Sequence, residues 1–263
     1  MNGLLRFIWQ QIVPPVALFA AIVLCWHLAT VWFDTPKFLL PGPLLVLEAA
    51  RKNFGQLASA TLITGAAALS AFAVSLVVGT LIGFVFSQSS IVRRSGYPYA
   101  IFLQTVPIIA VAPLIITWFG RGFPSVVIVG FVISVFPIIT NATAGLTSID
   151  PDLLAFFQLH NASRRQVLFK LRLPNAVPHI VTGAKTSSGV AVIGAIVGEF
   201  FAGMPGNRFG LGYLVRQKAD LLKTDELFAA VIASTILGVV IFAVVSLAGA
   251  TILSRWYDQA AEA

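Results

Sequence analysis

The sequence predicts an all-α, polytopic membrane protein with six transmembrane helices. Composition is the first reason: of 263 residues, 58% are hydrophobic and only 10% are charged, whereas a soluble domain carries roughly a quarter charged residues to face water. Mean hydropathy is the second, at +0.92 over a chain of single-domain length, which places it in the membrane class. The third is distribution. Six apolar runs, at 12–33, 57–86, 97–119, 125–148, 176–203 and 227–255, each reach the length of about 20 residues that a span requires.

The net charge of +7 does not mark a nucleic-acid binder, because the basic residues sit in short segments between the apolar runs. The single cysteine, Cys25, lies inside the first run. It can form no internal disulfide, and no Cys/His cluster has zinc spacing, so no metal ligands are expected.

Taken in order, Met1 to Gln11 carries one Arg and no small-residue cleavage site, and reads as the lead into a retained first span. Residues 34–56 begin Asp34-Thr35-Pro36-Lys37, pass through Leu40-Pro41-Gly42-Pro43 and continue as a short amphipathic helix to Phe54. The second, fifth and sixth runs exceed the minimum length and are expected to tilt or extend past the hydrocarbon. Residues 87–96, with Arg93 and Arg94, read as a short basic turn, and Gly120-Arg-Gly-Phe-Pro124 as a tight turn between antiparallel neighbours. Pro107 and Pro113 interrupt the hydrogen-bond ladder of the third span and can bend it. Residues 204–226 are polar, bracketed by Gly203, Gly206, Gly210 and Gly212. Gly79 with Gly83, and Gly194 with Gly198, have the small-xxx-small spacing of close helix contacts, expected within one subunit.

Charge does not orient the chain. With both termini on one side, eight Lys/Arg fall there (Arg6, Arg93, Arg94, Arg164, Arg165, Lys170, Arg172, Arg255) and eight opposite (Lys37, Arg51, Lys52, Arg121, Arg208, Arg216, Lys218, Lys223). The positive-inside rule gives a tie.

Residues 149–175 are the most informative. Asp150 is placed to N-cap a helix with Pro151 at its first position, and Asp152 to His160 is apolar for a segment outside a span. Asn161 breaks that helix, Ser163 caps a second one from Arg164 to Leu173, Pro174 ends it and Pro178 shapes entry to the fifth span. The product is a helix–turn–helix knob with exposed apolar residues, which reads as a docking surface or as an interfacial helix lying on lipid.

This segment resembles the membrane permeases of type I ABC importers. Their loop signature is Glu-Ala-Ala, three residues, Gly, then about a dozen residues to Leu-Pro. Ala155-Phe156-Phe157 stands at the first triplet and Asn161 at the Gly; Ala162-Ser163, Phe169 and Leu173-Pro174-Asn175-Ala176-Val177-Pro178 follow in register. The signature Glu is absent, and Asn is the residue after Gly that best tolerates a left-handed turn. Phe38-Leu-Leu-Pro-Gly-Pro43, Gln104-Thr-Val-Pro107, Ala112-Pro-Leu114, Trp118-Phe-Gly120 and Gly210-Leu-Gly-Tyr213 are similar to the subgroup importing sulfonates, taurine, nitrate, thiamine-precursor pyrimidines or riboflavin.

The resemblance implies a division into residues 1–56 (first span, periplasmic loop and amphipathic helix), a core at 57–256 with coupling helices at 151–173, and a cytoplasmic tail at 257–263. It implies a multi-pass protein of the bacterial inner membrane with both termini and the knob cytoplasmic, working as a homodimer by alternating access. Partners would be two cytoplasmic ABC ATPases, a second permease copy, a soluble or lipid-anchored substrate-binding protein and membrane lipid. No cofactor would be bound by this chain; ATP and Mg would sit on the ATPase. Its contacts are expected at Asp152, Leu153, Ala155, Phe156, Phe157, Asn161, Ala162, Ser163, Phe169, Leu173 and Pro174.

For the pathway, the third span is the first choice, through Gln104, Thr105, Pro107, Pro113, Thr117 and Trp118, with Pro137, Thr140 and Asn141 of the fourth span second. Glu199, an ionisable residue inside the fifth span, matches a Glu of the subgroup and is expected to gate or pack the outer mouth. Lys185 reads as snorkelling to the cytoplasmic interface, and His27 as a packing residue. No Gly-Lys dipeptide, and hence no Walker A loop, is present, nor a Gly-x-Ser-x-Gly elbow or His-Glu-x-x-His motif. The chain is therefore expected not to be an enzyme. The alternative is an ion-gradient-driven secondary transporter, but no internal repeat relates residues 1–130 to 131–263.

Overall fold

The structure is a computed structural model that describes residues 13–202 and 209–261. The lead segment Met1–Gln11, Gly203, Gly206, Arg208 and the end of the tail lie outside the described residues.

The described residues form helices throughout: α1 (Val13–Trp32), α2 (Pro43–Lys52), α3 (Phe54–Gln88), α4 (Ser90–Thr105), α5 (Ile108–Phe119), α6 (Phe123–Thr147), α7 (Pro151–Leu159), α8 (Arg164–Val167), a π-helical segment (Leu168–Arg172), α9 (Leu173–Ala202), α10 (Leu211–Asp220) and α11 (Thr224–Ala261). Five helical stretches are long and apolar enough to cross a membrane, and α4 with α5 make a sixth if that bent pair counts as one span.

The chain separates into two compact units. The first holds the described residues of Met1–Ala58 with Leu214–Ile232. Trp26 stacks on Phe228 at 5.8 Å, Thr224 donates to the Phe38 carbonyl at 2.6 Å, and Lys218 pairs with Glu226 at 2.5 Å. The second holds Ser59–Tyr213 with the described residues of Ala233–Ala263, and its centre is the pair α6 and α9. These two helices touch because glycines remove the side chains between them: a methyl on Gly194 would stand 2.6 Å from the Gly130 Cα, and one on Gly145 2.7 Å from the His179 Cβ. Gly79 and Gly83 of α3 meet Ile138 and Ala142 of α6 in the same way, and Gly198 meets Val126. Both predicted small-xxx-small pairs are thus contacts within one chain. Serines tie the same helices, Ser75 to Ser134 at 2.7 Å and Ser187 to the Ser134 carbonyl at 2.6 Å.

Three expectations are corrected. Residues 87–96 are not a turn: only Ser89 leaves the helix, and its hydroxyl accepts the Ile91 N–H as an N-cap, so α4 starts at Ser90 with Arg93 and Arg94 inside it. The third apolar run is bent at Pro107, as its prolines predict, but sharply enough to make two helices. Val106 is extended, as a residue before proline prefers, Pro107 caps α5, and the two helices meet at 97°. With 12 residues, α5 is only about 18 Å long, short of the roughly 30 Å hydrocarbon. Pro113 leaves α5 intact, so of the two prolines only Pro107 breaks the element.

The third correction concerns Pro174, which does not end a helix. Helix continues from Arg164 to Ala202 because the π-helical segment shifts the hydrogen-bond register, with Leu173 N–H bonding the Leu168 carbonyl five residues back. The expected turn is present but spans 120–122, because Phe123 and Pro124 already begin α6; Gly120 and Gly122 have φ of 83° and 136°, which side-chain-bearing residues rarely adopt. It lays Ala112 and Ile115 of α5 on Val129 of α6.

Candidate functional site

At one end of the second unit, α6 runs through Ser148 into the knob. Asp150 caps α7 by accepting the Asp152 N–H at 2.9 Å. Asn161 adopts φ of 51°, the left-handed turn that its place in the signature demands, and Ala162 N–H then bonds back to the Phe157 carbonyl at 3.0 Å. Ser163 and Gln166 form a reciprocal capping box that starts α8.

The knob's apolar side faces outward. Leu153 is exposed, Phe156 is 55% exposed, Leu159 80% and Phe169 65%. Asp152, Ala155, Asn161 and Ser163 are also exposed, whereas Phe157, Ala162, Leu173 and Pro174 are half-buried and support the turn. Phe156 is held between Phe157 and His160, with ring centroids at 6.4 and 4.3 Å.

Two residues with no expected role fasten the knob to the helices behind it. Asn175 donates to the carbonyls of Gly145 and Ser148 at 2.9 and 2.8 Å, fixing the exit of α6. Arg172 donates to the Ser87 carbonyl at 3.2 Å, fixing the end of α3. The pairings span 85 residues for Arg172 and 27–30 for Asn175, so local sequence carries no sign of them.

Glu199 stands at the other end of α9 and is 1% exposed. Its Oε2 accepts the Thr64 hydroxyl at 2.8 Å and the Gly212 N–H at 2.9 Å, while Thr64 Oγ1 accepts the Leu211 N–H at 2.8 Å. Leu211 and Gly212 are the first residues of α10, whose leading N–H groups have no partners within the helix. Two side chains from other helices therefore cap α10, and an acidic group there also complements the helix dipole. Gly210 and Gly212 permit the approach, since a methyl at Gly210 would overlap the Glu199 carboxyl and one at Gly212 the Ile196 carbonyl. Oε1 has no hydrogen-bond partner among the described residues.

The candidate pathway residues divide. Gln104, Thr105 and Pro107 lie exposed at the α4–α5 break, and Pro113, Thr117 and Trp118, the last 70% exposed, lie along α5. Asn141 is placed elsewhere: its amide donates to the Pro137 carbonyl at 2.7 Å, and its Cβ abuts Gly183 of α9. Helix α5 packs on α6 around Val129 and Val132, and Asn141 is about 14 Å further along α6. Lys185 is half-buried, with Cε beside Gly249 of α11. Among the described residues no three His, Cys, Asp or Glu cluster as metal ligands do.

Residues 75–259 match the model of the binding-protein-dependent transport system inner membrane component family. The chain is 32% identical over 258 residues to the riboflavin transport system permease protein RibX of Chloroflexus aurantiacus, covering 97% of this chain and 94% of that one. It is 30% identical over 239 residues to the formylaminopyrimidine transport permease protein ThiX of Halalkalibacterium halodurans, covering 89% and 92%. Among solved structures, an inward-facing MetNI methionine ABC transporter chain superposes with a TM-score of 0.63 at 17% identity, covering 78% of this chain and 98% of that chain. The likeness in fold and the family match agree, and the chain belongs to the binding-protein-dependent transport system inner membrane components as a multi-pass ABC-transporter permease.

Proposed function

We propose that this chain is the membrane subunit of an importer in which a separate cytoplasmic ATPase docks on residues 151–173. The observation that carries the reading is the apolar face of Leu153, Phe156 and Leu159, exposed to solvent yet held in place by Arg172 and Asn175. An exposed apolar patch on a rigid mount is what a partner groove requires, and a mount tied to both α3 and α6 passes a push into the bundle.

In this reading two copies of the chain pair, each with an ATPase that carries ATP and Mg, and a soluble or lipid-anchored binding protein delivers solute to the opposite face. The knob and both termini are cytoplasmic. The assembly alternates between inward- and outward-open states, with Gln104, Thr105, Pro107 and Trp118 on the pathway and Glu199 holding the outer end closed. Riboflavin, formylaminopyrimidine, taurine and nitrate, the solutes in the names of relatives, set the class: a small organic or anionic solute.

The test is Phe156→Asp in the complete transporter. The variant should insert normally, yet recover at least tenfold less ATPase on purification, because a charge in a desolvated apolar contact is costly. Wild-type ATPase recovery and transport would overturn the reading. Reconstitution with an ion gradient and no ATP should give no uptake; uptake by this chain alone would make it a secondary carrier.

A further inference from the structure

A cleft of about 630 Å³ opens between α4 and α6, with Arg93, Arg94 and Tyr97 on one wall and Thr140 and Thr147 on the other. None of these residues belongs to the knob or to the Glu199 network. Arg93 and Arg94 begin within the first turns of α4, where the helix dipole is already positive. Neither guanidinium has an acidic or hydrogen-bonding partner among the described residues. Arg93 is half-buried and Arg94 exposed, so two adjacent guanidiniums stand at the mouth of the cleft.

The donors point to the ligand's chemistry. Thr140, Thr143 and Thr147 direct their hydroxyls to carbonyls of their own helix, which leaves the arginines and the Tyr97 hydroxyl as the cleft's donors. Deeper along α4 the wall becomes apolar, through Pro98 and Ile101. Charge, then phenol, then hydrocarbon follow one another over two helical turns, about 12 Å. A soluble anion would use only the first part of that series. A molecule with an anionic head and an acyl tail would use all of it.

The wall is built rather than loose. Phe86 of α3 sits in a notch at Gly96, where a methyl would stand 2.5 Å from its ring, and Ala100 is buried against Val135 and Ile139. We infer that the Arg93–Arg94 cleft binds the headgroup of an anionic phospholipid, with an acyl chain lying along Pro98 and Ile101. Basic pockets between membrane helices on the cytoplasmic side hold such headgroups. The inference rests on the proposed orientation, because Arg172 bonds Ser87 and so sets the knob and the start of α4 at the same end. A lipid there would touch α6 just before that helix enters the knob.

The experiment uses the purified transporter complex in lipid nanodiscs, released into a native mass spectrometer. Dioleoyl phosphatidylglycerol should be retained in preference to dioleoyl phosphatidylcholine. Arg93→Gln and Arg94→Gln should each lower that preference about fivefold, whereas Arg121→Gln should leave it unchanged. Millimolar inorganic phosphate should not displace the lipid. Equal preference in the double variant overturns the proposal, as does full displacement by phosphate, which would mark a soluble-anion site. Phe156→Asp separates this from the docking reading: it should lose ATPase yet keep phosphatidylglycerol. A complex that holds ATPase normally but shows no lipid preference defeats the lipid site alone.

Discussion

Removing the Glu199 carboxyl should open the start of α10 locally and leave the bundle folded. In Glu199→Ala the Gly212 N–H loses its acceptor in a site that is 1% exposed, and Thr64 loses the acceptor for its own hydroxyl. Leaving a buried donor unsatisfied costs about 1–3 kcal/mol, which corresponds to roughly a 5- to 150-fold rise in the open population. Amide hydrogen exchange reads that population directly. Peptides spanning Leu211–Tyr213 should exchange faster by that factor, while those within Val181–Ala195 keep their protection. Glu199→Gln should stay within about threefold of wild type, since an amide oxygen in the Oε2 position accepts the same two bonds. Thr64→Val should expose mainly the Leu211 amide, whose acceptor is the threonine oxygen. Unchanged exchange at Leu211–Tyr213 in Glu199→Ala would refute the argument, because the two bonds would then not be holding the helix start.

Gly194→Val forces a side chain against the Gly130 backbone and should destabilise the chain by about 1–3 kcal/mol, seen as a lowered thermal midpoint in detergent. Gly189→Ala, with nothing within 4 Å, should instead raise that midpoint or leave it unchanged. In the wild-type protein, amides of α4 and α5 should exchange at lower free energies than those of α6 and α9.

The spans were legible because burial in lipid is a property of each residue, so a run of apolar residues declares itself without its partners. Caps were legible for a similar reason: Asp150, Ser163 and Asn161 act on neighbours within five residues. What failed was what depends on another helix. Pro107 and Pro113 look alike in sequence, yet Pro107 stands at the start of α5 and Pro113 inside it, between Ala112 and Ile115, which lie on Val129. Pro174 looked like a terminator until a register shift accommodated it. Glu199 was singled out from its position in a span, but Thr64, 135 residues earlier, carries no sign of the pairing. Glycines 210 and 212 stood out only as a motif, and their reason is the carboxyl lying against them.

The expected order of exchange follows from where the polar ties fall. In a bilayer, side-chain hydrogen bonds between helices compete with few alternatives, and each adds up to about 2 kcal/mol. Helices α3, α6 and α9 are linked by such bonds along their length: Thr64 with Glu199 at one end, Ser75, Ser134 and Ser187 in the middle, Arg172 and Asn175 at the other. Glycine contacts add backbone-level packing to the same three. Helices α4 and α5 have less of this: Gly96 of α4 admits the Phe86 ring, and Ser125 of α6 donates to the Gly120 carbonyl that ends α5. Thr105 and Thr117 bond their own helix, and among the described residues no side-chain hydrogen bond from α4 or α5 reaches α3, α6 or α9. The attachment of α4–α5 is apolar packing through Ala100, Ala112 and Ile115, with a 97° bend at Val106–Pro107 between them. A body tied at three levels and an arm held mainly by packing should open at different free energies. Equal protection across α4–α5 and α6–α9 would show that the polar ties do not set the rigidity of this fold.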